Sequence, residues 1–195
     1  MNGWDHANLA ARLAARGVPA PAGEPPPRRA AVAIALELGG PPRVLLMRRV
    51  RHPGDPWSGQ ISLPGGGREP EDADLLATAL RETREEVGID LASDACLLGS
   101  LEARAARARG KLLAMDVSPF VFALERAVTP AIGDEAEEAF WLPLDRAIRG
   151  ELDHVYAYRR ADGATRELPA WRFEDRVVWG MTYRILGDLI AAVRD

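Results

Sequence analysis

From Ala30 onward the chain sets strand-like runs almost back to back: "AAVAIALEL", "RVLLMRRV", "ACLLGSLEAR", "AMDVSPFVFALE" and "AFWLPL". Only one long segment of helical period, Asp74 to Val87, stands among them. A parallel βαβ series needs a crossover helix between successive strands, and most of these runs have none. The chain is therefore constrained to an α+β fold, a mixed sheet flanked by helices in an α/β/α sandwich. "GGPP" separates the first two runs, which read as a strand pair. The stretch from Arg51 to Gly67, "RHPGDPWSGQISLPGGG", is so dense in glycine and proline that a shaped loop is expected.

The ends of the chain supply the covering helices. "DHANLAARLAARG" has a helical period, opening at Asp5 or Asn8 and stopping at Gly17. "VPAPAGEPPPRR" then reads as a tether, which divides the chain into a helix and tether over 1–29 and one domain over 30–195. Further on, "LDRAIRG" is a short helix ending at Gly150, and "HVYAYRRADGATRELPAWRF" a hairpin around Asp162 and Gly163. "VVWGMTYRILGDLIAAVRD" closes the chain as an amphipathic helix. Trp141, Trp171 and Trp179 read as core residues, and Cys96 as a buried structural thiol in a strand.

Charge and cysteine usage exclude several functions. A net charge of -4 argues against general binding to nucleic acid or a membrane surface. One cysteine permits neither an internal disulfide nor a zinc-finger spacing. No apolar run approaches a membrane span, and "MNGWDHANLAARLAARG" has no signal-peptide pattern, so a cytoplasmic protein is expected.

The helical segment carries the chemistry. At about 100° per residue, Leu75, Leu76, Ala79, Leu80, Thr83 and Val87 form one stripe. Glu82, Glu85 and Glu86 cluster beside it, with Glu86 at the apolar border. Two like charges four apart weaken a bare helix by about 0.2–0.5 kcal/mol. A carboxylate at a core border also loses hydration unless a cation or donors replace the water. A solvated acidic face is the bland alternative. The "PGGG" loop just before the helix favours the other reading, because glycine lets a ligand approach the backbone closely. A hard divalent cation would turn the repulsion among the acids into shared ligation.

With Gly67 opening the pattern, Arg81, Glu82, Glu85, Glu86, Gly88 and Ile89 fall at the spacings of the Nudix box, and this stretch resembles that box. Ala73 stands where the pattern has its first glutamate, between Asp72 and Asp74, either of which suits a helix cap. Thr83 replaces an apolar residue. The resemblance implies a Nudix-type mixed sheet and hydrolysis of a diphosphate linked to some other group. It further implies that Glu82, Glu85 and Glu86, joined by the Gly66 carbonyl, hold Mg²⁺ or Mn²⁺, with Arg81 positioning the acids. Such ions neutralise the diphosphate and acidify water.

The segment "LLMRRVRHPGDPWSGQISLPGG" resembles the coenzyme A pyrophosphatase branch of that family. Leu45, Leu46, Arg49, Gly59, Pro64, Gly65 and Gly66 agree once one residue is inserted, while Met47, Val50, Gly54 and Leu63 do not. Coenzyme A or a derivative is the first substrate this implies. ADP-ribose or a dinucleotide is the alternative, and a non-catalytic nucleotide-binding regulator on the same scaffold is the alternative of another class. Arg49 and Arg51 stand where they could grip substrate phosphates, beside the backbone of Gly65, Gly66 and Gly67. The loop "AIGDEAEEAFWLPL" offers Glu135, Glu137 and Glu138 as the general base, with Glu135 favoured by position. "ARAARARGK" reads as a basic loop carrying Arg104, Arg107, Arg109 and Lys111. The partner is a small-molecule diphosphate, and a homodimer is expected by family analogy.

Overall fold

The computed structural model describes residues 4–16, 28–53, 57–108, 111–159 and 163–194. Strand β1 (Arg28–Glu37) lies at its centre and is buried on both faces, as a strand between two helical layers must be. It runs parallel to β7 (Lys111–Leu124), with Ala30 beside Val117 and Ala35 beside Phe122. It runs antiparallel to β4 (Gly65–Gly67) and, at its far end, to β2 (Arg43–Arg49). Strands β3 (Ile61–Ser62) and β8 (Ala136–Pro143) join β2, while β5 (Ala95–Ser100) and β6 (Arg104–Ala108) join β7. Eight strands thus make one mixed sheet.

Helices cover both faces. On one side α2 (Leu75–Val87) packs on Ala31, Ala33, Ala35 and Phe122, alanines that let the helix approach the sheet closely. On the other, α1 (His6–Arg16) and α5 (Gly180–Arg194) pack on Ile34, Leu36 and Val121. Alternate residues of β1 feed the two cores, as strand geometry requires. The expected α/β/α sandwich is the fold observed.

Several details differ from the sequence reading. Leu9 and Leu13 of α1 are buried in the same core as α5, and Asp5 caps the helix by accepting from the Asn8 N–H at 2.9 Å. Strand β1 starts at Arg28, so the boundary expected at 29/30 falls inside it; Gly17 and most of the tether lie outside the described residues. The glycine-rich loop contains two short strands, because Gly65, Gly66 and Gly67 pair with Val32, Ala31 and Ala30. The basic "ARAARARGK" segment is mostly strand, with β6 pairing β7, and Arg109 lies outside the described residues. There Arg104 grips Asp188 through two hydrogen bonds of 2.5 and 2.6 Å.

After the short helices α3 (Leu91–Asp94) and α4 (Leu144–Ile148), the chain builds a second sheet. The expected hairpin is β9 (Asp153–Arg159) with β10 (Thr165–Phe173), joined by β11 (Arg176–Trp179). Asp162 lies outside the described residues, and Gly163 has φ 85°. The segment read as the start of the last helix is strand β11, where Val177 and Val178 pair with Arg172 and Trp171. Trp171 is buried as expected, but Trp141 and Trp179 are half-buried, with Trp179 stacked on Tyr156. Cys96 lies in β5 yet is exposed, as is the adjacent Leu97. Among the described residues no helix is long and apolar enough to cross a membrane.

Candidate active site

Helix α2 is pinned at both ends. Asp74 accepts from the Ala77 N–H at 2.8 Å, and Gly88 takes the left-handed position with φ 67° while donating to the Arg84 carbonyl. Its buried face is Leu75, Thr78, Ala79, Thr83, Glu86 and Val87. The stripe is thus rotated from the sequence reading: Leu76 and Leu80 are only half-buried, and Thr78 and Glu86 replace them inside. Thr83 fits its apolar position by returning its hydroxyl to the Ala79 carbonyl at 2.7 Å.

Glu86 is 1 % exposed. Its Oε2 accepts from the Gly65 N–H at 2.7 Å, and its Oε1 lies 3.3 Å from Arg49 Nη1. Burial pushes this carboxyl up to about 8, opposed by the Gly65 amide and Arg49 and reinforced by the charges of Glu82 and Glu135. Burial also raises Glu82, partly offset by Arg81 and reinforced by Glu135 and Glu85. Glu85 is mostly exposed.

Arg81 organises these acids. Its Nη1 lies 3.0 Å from both Glu82 Oε1 and Glu85 Oε2. Its Nη2 donates to the Gly67 carbonyl at 3.1 Å, and Nε and Nη2 form a two-point clamp on Asp72 at 3.0 and 3.1 Å. Asp72 is buried and also accepts from Thr78 and the Glu69 N–H. The Arg81 hydrogen bonds hold the Asp72 carboxyl well below the ordinary carboxylate range against its burial. Sequence reasoning offered Asp72 only as a cap. The signal for its larger role was Ala73, which moves the carboxylate expected there by one residue.

Gly66 and Glu82 meet face to face. A Cβ on Gly66 would lie 2.4 Å from Glu82 Oε1, so glycine alone leaves room for the carboxylate beside that backbone. Gly65 is tighter still: with φ 148°, its Cβ would strike the Ala31 carbonyl at 2.2 Å.

The loop ahead of β8 is stitched to the end of α2, with the Gly133 N–H on the Glu86 carbonyl and the Ala131 N–H on the Val87 carbonyl, both at 2.9 Å. This docking brings Glu135 to the acids. Its Oε2 lies 3.8 Å from Arg49 Nη2, so Arg49 spans Glu86 and Glu135 and is turned inward toward the acids. Arg51 is exposed and runs over Gly59. Glu137 accepts from the Arg51 N–H, and Glu138 is clamped by Arg48 and Arg176, away from the other acids.

The donor chemistry suits a hard divalent cation: clustered carboxylates, one of them buried, and a glycine backbone that accommodates Glu82 at close range. Among the described residues no three Asp, Glu, His or Cys side chains converge to ligating distance as they stand, since Arg81 holds Glu82 and Glu85.

The NUDIX domain family model matches residues 26–161. The NudL protein of Yersinia pestis (strain Pestoides F), an uncharacterized Nudix hydrolase by description, is 34% identical over 168 residues, spanning 85% of this chain and 80% of its own. Two solved structures share the fold. A Caenorhabditis elegans (C. elegans) Ap4A hydrolase binary complex has a TM-score of 0.50 at 23% identity, covering 63% of this chain and 84% of its own. A MutT/nudix family protein from Enterococcus faecalis has a TM-score of 0.50 at 18% identity, covering 92% of this chain and 64% of its own. This chain belongs to the NUDIX domain family, hydrolases that act on pyrophosphate bonds and generally use divalent metal ions.

Proposed function

We propose that this Nudix chain cleaves the diphosphate linkage of a nucleoside diphosphate derivative, with coenzyme A or a derivative as substrate and 4'-phosphopantetheine and 3',5'-ADP as products. The observation that carries the diphosphatase reading is Glu86. Its carboxylate is buried against the Gly65 amide, beside Glu82 and Arg49, a costly placement that ligation of a cation repays. The partial match of the "LLMRRVRHPGDPWSGQISLPGG" segment supports the choice of coenzyme A.

Glu82, Glu85, Glu86 and the Gly66 carbonyl would hold Mg²⁺ or Mn²⁺. When bound, the metal neutralises the diphosphate and acidifies the attacking water. Arg81 fixes the directions of Glu82 and Glu85 through Nη1 while Asp72 anchors its other side. Gly65, Gly66 and Gly67 present a backbone strand edge to the substrate, and Arg51 at the lip meets its phosphates. Glu135 takes the proton of the attacking water, and Arg49 orients it. The cytoplasm, where such cofactors circulate, is the proposed compartment, and a homodimer the proposed assembly.

The test is incubation of the pure protein with Mg²⁺ or Mn²⁺ and a panel of coenzyme A, ADP-ribose and dinucleoside polyphosphates, with products identified by mass. Release of 4'-phosphopantetheine and 3',5'-ADP supports the full reading. Turnover of another member alone corrects the substrate. No turnover of any member, with wild type and Glu86→Gln alike, removes the enzymatic reading.

A further inference from the structure

A cavity of about 560 Å³ lies under the N-terminal end of α2, apart from the acid cluster. None of Glu82, Glu85, Glu86 or Gly65–Gly67 lines it, and the Arg68–Asp74 turn stands between it and Arg81. Its wall combines Arg29 and Arg68, the hydroxyl residues Ser100 and Ser118, and the apolar side chains of Leu76 and Phe120. A volume of this size matches a small-molecule pocket, and the mixture suits a ligand with one anionic end and one apolar end.

The Arg68 N–H donates to the Arg29 carbonyl at 2.9 Å, extending the β1–β4 ladder one pair beyond Ala30 and Gly67. Arg29 and Arg68 are therefore cross-strand neighbours, both exposed, and Asp116 of β7 flanks Arg29 on its other side. Arg68 is held in position by donating to the Asp72 and Ala73 carbonyls at 2.9 and 3.2 Å. Among the described residues no ion pair or hydrogen bond engages the Arg29 guanidinium. Asp74, the only carboxylate among the described residues that line the wall, caps α2. The N-terminal dipole of α2 offsets part of the Asp74 charge, so the positive charge of the wall is that of Arg29 and Arg68.

We infer that this cavity is a second ligand site, separate from the hydrolytic centre, that takes a small organic phosphate carrying a flat apolar group. The paired guanidiniums match phosphate oxygens in a fork geometry, the two serines complete the polar end, and Phe120 and Leu76 receive the ring. Phosphorus chemistry plays no part, since no acid cluster faces the cavity among the described residues.

Phenyl phosphate, inorganic phosphate and benzoate serve as probes, titrated calorimetrically into the full chain with chelator present and no divalent metal added. Phenyl phosphate is expected to bind saturably, one per chain, and tighter than either other probe. Arg29→Ala and Ser118→Leu, on different strands of the wall, should each weaken it by about tenfold or more while leaving diphosphatase turnover within about twofold. Absence of saturable binding overturns the site. So does binding that both variants leave unchanged, which would put the probe elsewhere. Benzoate binding as tightly as phenyl phosphate overturns the phosphate assignment.

Discussion

Replacing Gly66 with alanine separates catalysis from stability. The added Cβ would lie 2.4 Å from Glu82 Oε1, 2.5 Å from Cδ and 2.7 Å from Oε2. Ordinary contact begins near 3.4 Å, so the carboxylate must retreat by about 1 Å. It is the free end of a flexible side chain, and Gly66 does not need a left-handed backbone, so the fold accommodates the change cheaply. Loss of glycine's freedom in the unfolded chain contributes about 0.4–1 kcal/mol in the stabilising direction. Catalysis has no such latitude, since misplacing a group by about 1 Å costs on the order of 10²-fold in rate. Gly66→Ala is therefore expected to melt within a few degrees of wild type while kcat falls about a hundredfold on the diphosphate that wild type turns over fastest. Gly65→Ala is the contrast: its Cβ meets the Ala31 carbonyl at 2.2 Å and Val32 Cα at 2.6 Å, backbone atoms that cannot step aside. At least about 2 kcal/mol of stability should go. A Gly66→Ala protein with wild-type melting and kcat within threefold of wild type would refute the reasoning that Glu82 must stand against that backbone.

Arg81→Lys keeps one positive charge but not the fork that reaches Asp72, Gly67 and two glutamates, so kcat should fall at least tenfold and stability by about 1–3 kcal/mol in denaturant melts. Asp72 is held low by Arg81, so its contribution to stability is fully present above the unfolded aspartate value near pH 4 and drains away as pH falls through the folded value. Asp72→Asn should flatten the acid limb of a stability–pH curve below about pH 4, and an unchanged limb would remove this pair as its source. Gly133→Ala places a Cβ 2.0 Å from the Glu85 carbonyl, so the loop must undock; stability should drop by about 1–3 kcal/mol and turnover should fall with it. Glu135→Gln should slow turnover well beyond a few-fold with little change in melting, and a rate within a few-fold of wild type removes Glu135 as the base.

The sheet and its two helical layers were legible because their signals are periodic. The apolar runs and the Asp74–Val87 stripe are set by burial, which the sequence records residue by residue. What escaped depends on neighbours remote in the chain. "GGG" carries no strand propensity, yet β1 recruits it because its glycines fit between the β1 backbone and Glu82. Val177 and Val178 suit helix or strand equally, and β10 decides for strand. The acids were legible by spacing, but their degree of burial was not. A helix projection put Glu86 at the core border, whereas the Gly65 amide and Arg49 draw it fully inside. Arg49 reads from sequence as a residue that could grip substrate phosphates; that it also faces Glu86 and Glu135 depends on the loop docked through Gly133.

The charge balance at the centre suits the divalent ions that Nudix hydrolases generally use. Among the described residues Glu69, Asp72, Glu82, Glu85, Glu86 and Glu135 gather around Arg81 and Arg49, so the acids outnumber the arginines that pair with them. A diphosphate brings further negative charge, and Arg51 at the rim is exposed, where solvent weakens its pull. The arginines therefore arrange the acids without neutralising them. Asp72 takes up part of the Arg81 charge, which keeps that guanidinium from satisfying Glu82 and Glu85 outright, as the proposed metal ligation requires. A site whose arginines fully cancelled its carboxylates would be more stable and would have no reason to bind metal.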